Sequence, residues 1–151
     1  MRSWLRAGGV LAGVVALDQA TKALVVAGIE RGERDPILPG VELVHVRNRG
    51  IAFGLFEDRA GLLTVVTVVA LGLLVVYFAL HLSRPLLWLP TGLLLGGALG
   101  NLLDRARQGA VTDFIDLSFW PAFNLADVAI TLGVGALLLA LEAGRDDTAR
   151  A

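Results

Sequence analysis

The 151-residue chain contains no cysteine, which excludes disulfide bonds, thiolate metal sites and cysteine nucleophiles. It has only two histidines, His45 and His81, and they fall on opposite sides of a predicted apolar span, which argues against a histidine-based zinc site. Neither histidine is placed to act as a base for Ser83 or Ser118, so the sequence offers no serine triad. It also has no phosphate-binding loop, and a net charge of -1 gives no reason to expect nucleic acid as a partner.

Charge of either sign is scarce, and apolar residues take its place. Only 18% of the residues are charged while 56% are hydrophobic, and the mean hydropathy is +0.71. This composition is typical of proteins whose solvent is a lipid bilayer. Four apolar runs are long enough to cross one, at residues 7–29, 60–80, 86–103 and 122–141. The sequence therefore predicts an all-α integral membrane protein with four transmembrane helices in a single domain.

The first apolar run begins like the hydrophobic region of a cleavable signal peptide. The polar residues Asp18, Gln19, Thr21 and Lys22 follow, and further apolar residues come after them instead of a clean cleavage site. The run is therefore predicted to be a retained transmembrane helix.

The main polar stretch, at residues 30–59, is predicted to be a loop outside the hydrocarbon. Pro39 and Gly40 indicate a turn. Residues 41–46 alternate in polarity and are rich in β-branched side chains, as a short strand is. Two glycines within residues 48–54 indicate bends or a close approach of the backbone. We expect a small extracytoplasmic β-sheet here, lying on the membrane surface.

Four spans would place both chain termini on one side of the membrane. The terminal side carries five arginines and the opposite side seven, which opposes cytoplasmic termini under the positive-inside rule. Arg2 and Arg6 before the first span, and Arg84 in the short 81–85 connection, favour cytoplasmic termini instead. The charge pattern therefore leaves the orientation open.

Polar residues gather around the last two spans, within residues 96–127. Ionisable groups beside hydrocarbon are costly and by default indicate a functional site. The third helix is predicted to end at Gln108-Gly109, which leaves Asp113 in an extended link, while Asp127 lies near the start of the fourth span. Both acids could meet at the mouth of the bundle. Two neighbouring carboxylates tend to hold one proton between them, and such a pair can activate water and protonate a leaving amine.

Purely structural explanations compete with this one. Asp113 and Asp127 could pair with Arg105 or cap helix ends. Asp116 lies in a similar apolar setting and could replace Asp113 on physical grounds, because spacing alone does not decide between them.

Other features of the helices have structural explanations that are stronger than functional ones. Asp18 and Lys22 are four residues apart, so they can form an ion pair while the lysine reaches towards the nearer interface. Gly92, Gly96 and Gly100 form a stripe that lets a neighbouring helix approach closely.

Five blocks of the chain together resemble a known family. They are residues 18–22 (D-Q-A-T-K), 48–54 (N-R-G-I-A-F-G), 96–105 (G-G-A-L-G-N-L-L-D-R), 109–115 (G-A-V-T-D-F-I) and 123–127 (F-N-L-A-D). With these blocks in this order relative to four spans, the chain resembles the bacterial lipoprotein signal peptidase (signal peptidase II) family over nearly its whole length.

The resemblance implies an aspartic membrane endopeptidase without metal or cofactor. It would cleave the signal peptide from diacylglyceryl-modified prolipoproteins, on the N-terminal side of the lipidated cysteine. The family's catalytic acids correspond to Asp113 and Asp127, which selects Asp113 over Asp116. The positions that match supporting or substrate-binding residues are Asp18, Lys22, Asn48, Gly50, Asn101, Asp104, Arg105 and Asn124.

The resemblance also implies a place in the cell and a set of partners. The chain would be a multi-pass protein of the bacterial cytoplasmic (inner) membrane, with both termini in the cytoplasm and the active site at the extracytoplasmic face. We expect a monomer that meets lipid-modified prolipoproteins and membrane lipids.

Two other classes of membrane protein could carry some of the same features. A proton-coupled carrier could use the acids as a relay, but carriers commonly show internal repeats and midplane polar residues, whereas here no repeat relates the two halves and the acids gather at helix ends. A structural packing subunit would explain the glycine stripe but not the cluster of acids and asparagines.

Overall fold

The computed structural model describes residues 1–50, 60–84 and 86–149. The 51–54 part of the predicted glycine-rich stretch lies outside these residues. In chain order the elements are α1 (Arg2–Gly28), β1 (Arg34–Leu38), β2 (Val41–Asn48), α2 (Ala60–Leu80), α3 (Trp88–Gln108), β3 (Val111–Leu117), β4 (Trp120–Phe123) and α4 (Leu125–Ala149). The fold is thus mostly helical with one small sheet, as predicted.

The helices follow the predicted apolar runs, with differences at their ends. The second run coincides with α2. α3 continues past the predicted end of its apolar run to Gln108, and Gly109 ends the helix there in a left-handed conformation (φ 69°), as the sequence indicated. α4 starts at Leu125 and not at residue 122, because Asn124 and Asp127 bond to each other's backbone N–H and cap the helix.

Two of the four predicted spans meet the requirements of length and hydropathy for crossing a membrane. Within the described part of the chain these are Arg2–Gly28 and Leu125–Glu142, and α2 contributes the shorter apolar stretch Thr64–Leu80.

α3 is the central helix and packs between α1 and α4. A Cβ atom added at Gly92 would lie 2.7 Å from the Ala7 carbonyl oxygen of α1, and one added at Gly97 would lie 2.5 Å from the Ala126 carbonyl oxygen of α4. Only glycine permits these backbones to come so close. The predicted packing role of the glycine stripe is confirmed, and Gly97 extends that role to a second face of α3.

The four strands form an antiparallel sheet in the order β1-β2-β3-β4. The predicted turn at Pro39-Gly40 joins β1 to β2, and Gly40 has a φ of 79°. The sequence predicted only the strand at residues 41–46. It described residues 111–115 as an extended link, and this conformation is confirmed, but it did not predict that they pair in a sheet. It also began the fourth span at residue 122, which is wrong because residues 122 and 123 belong to β4. β3 pairs with β2, and β4 pairs with β3. The backbone of residues 120–123 therefore forms its hydrogen bonds in the sheet before α4 begins.

The pairing of β2 with β3 positions the polar residues of the sheet. Val46 lies opposite Asp113, and Asn48 lies opposite Val111. This register brings the end of the 30–50 segment alongside the predicted catalytic strand. The sheet therefore connects two blocks of the chain that are far apart in sequence.

Candidate active site

Asp113 and Asp127 line one cavity of about 360 Å³. Asp113 is supplied by β3 and is only 2% exposed, whereas Asp127 is supplied by the first turn of α4. Asn48, Asn101 and Arg105 also line this cavity, which we call the acid cavity. The structure thus brings the two predicted acids together at the mouth of the helix bundle.

Three asparagine side chains donate hydrogen bonds to the two acids. Asn48 Nδ2 donates to Asp113 Oδ2 at 2.9 Å, and Asn124 Nδ2 donates to Asp113 Oδ1 at 2.6 Å. Asn101 Nδ2 donates to Asp127 Oδ1 at 2.9 Å. Each carboxyl group is therefore held by an amide that comes from a different element of the fold.

The orientation of two of these amides is fixed by what their oxygen atoms accept. Asn48 Oδ1 accepts the Gly50 N–H at 2.9 Å. Asn101 Oδ1 accepts hydrogen bonds from Lys22 Nζ at 3.0 Å and from Asn124 Nδ2 at 3.2 Å. Because these oxygens can only accept, the NH₂ groups must point towards the carboxylates. The acids are preorganised by a network that leaves one orientation to each of these two amides.

Asp127 combines two of the roles that the sequence left open. Its Oδ2 accepts the Asn124 N–H at 3.2 Å, while Asn124 Oδ1 accepts the Asp127 N–H at 3.0 Å. This reciprocal arrangement caps α4. The helix-cap explanation is thus correct for Asp127, but the cap also holds the carboxyl at the wall of the acid cavity.

Arg105 has a contact other than the predicted ion pair with an acid. Its Nη2 donates to the Gly50 carbonyl oxygen at 2.9 Å, and among the described residues no ion pair joins it to Asp113 or Asp127. The arginine ties the end of the β2 segment to α3. The structural explanation in which Arg105 forms a direct ion pair with either acid is therefore wrong.

Burial changes the protonation of Asp113. Removal from water raises its pKa from 3.8 to about 6, the hydrogen bond from Asn48 opposes the rise, and the neighbouring charge of Asp127 adds to it. A carboxyl group with this pKa can carry a proton near neutral pH. That is the property required of one member of an acid–base pair.

The raised pKa of Asp113 predicts how stability depends on pH. The folded state binds this proton more tightly than the unfolded state, so the contribution is fully present below pH 3.8 and is lost as the pH rises through about 6. The change is at most about 3 kcal/mol of unfolding free energy. Unfolding curves of the wild type and of Asp113→Asn in the same detergent should therefore diverge in this window, with the wild type gaining stability as the pH falls. Parallel curves would contradict the burial of an ionisable group at this position.

Lys22 is buried in an ion cluster and does not reach towards an interface. Its Nζ lies 2.9 Å from Asp18 Oδ2 and 2.9 Å from Asp104 Oδ2, and its side chain is only 4% exposed. The predicted pair with Asp18 is confirmed, but the predicted snorkelling is wrong, because α3 offers the ammonium a carboxylate and the Asn101 amide oxygen inside the bundle. Lys22 thereby connects the ion cluster to the acid cavity.

The two acids of this cluster also bind backbone groups. Asp18 Oδ1 accepts the Ala126 N–H at 3.0 Å, and Asp104 Oδ2 accepts the Thr112 N–H at 3.1 Å. The cluster therefore joins α1, α3, β3 and the start of α4. Gln19 also belongs to this cluster, since its Nε2 donates a hydrogen bond to Asp104 Oδ1 at 3.0 Å. Sequence analysis assigned it no role in the site, although it lies in the 18–22 block between Asp18 and Lys22.

Asp116 lies elsewhere on the sheet. It accepts a hydrogen bond from Arg34, which also pairs with Glu42. Asp116 is not among the described residues that line the acid cavity. Residues three apart in a strand point to opposite faces, so Asp113 and Asp116 cannot serve the same site.

No group of three or more histidine or acidic side chains within the described residues is placed to hold a metal ion. The described polar side chains that line the acid cavity carry carboxylates, amides, a guanidinium, two threonine hydroxyls and the Trp120 indole N–H. They suit proton transfer to and from a bound substrate.

The model of the family described as signal peptidase (SPase) II matches residues 10–142 of the chain. The chain belongs to the signal peptidase II family. This membership contradicts the carrier and packing-subunit alternatives.

Individual proteins of the family are similar over most of their length. A protein of Halothermothrix orenii named lipoprotein signal peptidase is 43% identical over 85% of this chain and 89% of its own length. One of Syntrophomonas wolfei with the same name is 46% identical over 93% of this chain and 92% of its own. Two solved structures of bacterial membrane enzymes share the fold, with TM-scores of 0.82 and 0.77 at 31% and 32% identity. They cover 97% and 93% of this chain, and 90% and 92% of their own chains are matched.

Proposed function

We propose that this chain is an aspartic endopeptidase that removes the signal peptide of diacylglyceryl-modified prolipoproteins. The cut would fall on the N-terminal side of the lipidated cysteine. The observation that carries the proposal is the pair Asp113 and Asp127 in one cavity, each held by an asparagine amide. Relatives named lipoprotein signal peptidase support the substrate class.

The pair would act as a general base and a general acid that share one proton. The ionised carboxylate takes a proton from water as the water oxygen attacks the scissile carbonyl carbon. The protonated carboxyl gives its proton to the carbonyl oxygen, which yields a neutral tetrahedral diol. When the C–N bond breaks, the protonated carboxyl gives its proton to the leaving amine nitrogen, while the ionised carboxylate takes a proton from one diol hydroxyl. The carboxylic acid product forms and the pair again holds one proton. No covalent intermediate with the protein is required.

The remaining predicted residues would support this chemistry. Asn48, Asn101 and Asn124 orient the carboxyl groups and leave their reacting oxygens in a defined position. The cluster around Lys22, with Asp18 and Asp104, holds together the helices and the strand that carry them. Arg105 and Gly50 hold the end of the β2 segment at the rim of the cavity.

The protein would cross the bacterial inner membrane four times as a single domain and a monomer. Besides the two spans described above, α2 exposes apolar side chains along its length, including Val65, Val69, Leu73 and Val76. A helix with this surface suits contact with lipid. Both termini would lie in the cytoplasm, and the sheet and the acid cavity would lie at the extracytoplasmic face.

The lipid on the substrate should be needed for efficient cleavage. The acids lie where α3 and α4 meet the sheet, at the proposed boundary of the hydrocarbon, so a peptide reaches them only if it is held at that depth. Two acyl chains supply such an anchor, since each buried CH₂ contributes ~0.8 kcal/mol. We expect an unlipidated precursor of identical sequence to show a kcat/KM lower by about 100-fold or more.

The comparison uses both precursors with the purified protein in the same micelles. Asp113→Asn serves as the blank for contaminating proteases. Equal kcat/KM values for the two precursors would contradict the anchoring argument, and failure to cut either precursor would contradict the proposed function.

A further inference from the structure

A second cavity of about 360 Å³ also has Asp127 among its lining residues. Its walls are the β3–β4 hairpin, through Phe119 and Trp120, and one face of α4, through Val128 and Leu132. We call it the hairpin groove. Its volume is within the range of ligand-binding clefts in proteins.

The hairpin groove adjoins the acid cavity. Trp120, Phe123, Asp127 and Thr131 line both. A ligand that reaches the acids therefore lies directly beside the groove. At the far end Phe119 is 82% exposed, so the groove opens outwards at the hairpin tip.

Most side chains described along the groove are apolar. The polar groups among them belong to Trp120, Thr131 and Asp127, and those of Thr131 and Asp127 are already bonded. Thr131 Oγ1 donates to the Asp127 carbonyl oxygen at 2.9 Å, and the Asp127 carboxyl accepts the Asn101 amide and the Asn124 N–H. The groove thus suits a hydrocarbon chain whose polar end lies at the acids.

We propose that the hairpin groove binds an acyl chain of the lipid group on the substrate cysteine. The inference rests on the proposed function and adds the place where the lipid is held. A diacylglyceryl cysteine has the required form, because its thioether and ester groups adjoin the scissile bond while its chains extend away from it. An amino-acid side chain would end inside the groove, whereas an acyl chain can leave it past Phe119 into the surrounding lipid. Binding of the chain in the groove would fix the distance between the lipid and the scissile bond at the acids.

The first test fills the groove with a bulky side chain. Leu132→Trp places an indole in it, and Leu139→Trp is the matched control, since Leu139 is an exposed leucine of α4 outside the groove. The substrates are one prolipoprotein peptide carrying either dipalmitoyl or dioctanoyl glyceryl cysteine. We expect Leu132→Trp to raise KM for the dipalmitoyl substrate roughly tenfold with kcat little changed, and so to reduce the preference for the longer chain. Leu139→Trp should keep the preference of the wild type.

The control removes the effect of partitioning into micelles, because partitioning is the same for both variants. If Leu132→Trp and Leu139→Trp show the same chain-length preference, the groove proposal is overturned while the proposed function stands. If the wild type cuts neither lipidated peptide, the proposed function itself fails.

The second test keeps the groove intact and does not require turnover. The inactive variant Asp113→Asn is mixed with the dipalmitoyl substrate carrying a photoreactive diazirine near the end of one acyl chain. The same acyl chain on phosphatidylcholine is the comparison. After irradiation, mass spectrometry should find labels on the groove residues at several-fold higher yield from the substrate than from the phospholipid. Equal yields would mean that only bulk lipid fills the groove. Labelling of the groove only by a diazirine placed on a signal-peptide side chain would assign it to the peptide, and either result overturns the proposal.

Discussion

Asp113→Asn and Asp127→Asn should each reduce kcat by about 1000-fold or more in a prolipoprotein cleavage assay. Asparagine has nearly the size of aspartate, and its one oxygen can still accept one of the two hydrogen bonds that each carboxyl accepts, but it cannot carry a proton between water and the leaving amine. Both variants should still be purified as folded proteins with cooperative thermal transitions. The loss is therefore expected in turnover and not in folding.

Asp116→Asn is the internal control for this experiment. Its carboxyl pairs with Arg34 on the sheet and does not line the acid cavity. This variant should keep most of the wild-type kcat. An inactive Asp116→Asn together with an active Asp113→Asn would contradict the assignment of the pair.

Lys22→Met should cause the largest loss of stability among single substitutions of charged residues. It would leave the carboxylates of Asp18 and Asp104 buried without their common cation. Breaking a buried ion pair from one side costs about 3–5 kcal/mol of unfolding free energy. It would also remove the ammonium that donates a hydrogen bond to Asn101 Oδ1, so the folded fraction of the enzyme should cleave its substrate more slowly.

Arg34→Met is the matched control, because it also removes a cation that bridges two carboxylates. The side chain of Arg34 is 60% exposed, so its pairs with Glu42 and Asp116 are solvated. We expect a much smaller loss than for Lys22→Met, because water screens exposed ion pairs. Detergent unfolding curves of the two variants provide the comparison. Similar losses would show that burial does not decide the strength of the Lys22 cluster.

Elements defined by local pattern could be predicted from the sequence. The apolar runs located the helices, Gly109 marked the end of α3, and Pro39-Gly40 marked the first hairpin turn. These signals are local because chain length, φ preference and hydropathy act within a few residues. The same information missed β4, since an apolar run before a helix has the same composition whether it is helix or strand.

The register that builds the acid cavity could not be predicted in this way. The bond from Asn48 to Asp113 depends on the pairing of β2 with β3, which joins segments on either side of α2 and α3. Nothing in either segment alone specifies its partner. Had residues 111–117 been recognised as a strand, the two-residue period would have separated Asp113 from Asp116 without any appeal to a family.

The ion cluster illustrates a second limit of the sequence. A lysine one turn from an aspartate in an apolar helix satisfies a local pattern, and that pattern predicted the Asp18–Lys22 pair correctly. It does not show that a third charge, Asp104, arrives from α3. Whether such a lysine reaches towards an interface or stays buried is decided by tertiary packing.

The most direct test of the central claim is the intact mass of the products formed from a diacylglyceryl-modified prolipoprotein by the purified chain. We predict two products, the free signal peptide and a mature lipoprotein whose N-terminal residue is the lipidated cysteine, and neither product with Asp113→Asn. A cut at any other bond, or the same products from Asp113→Asn, would contradict the account.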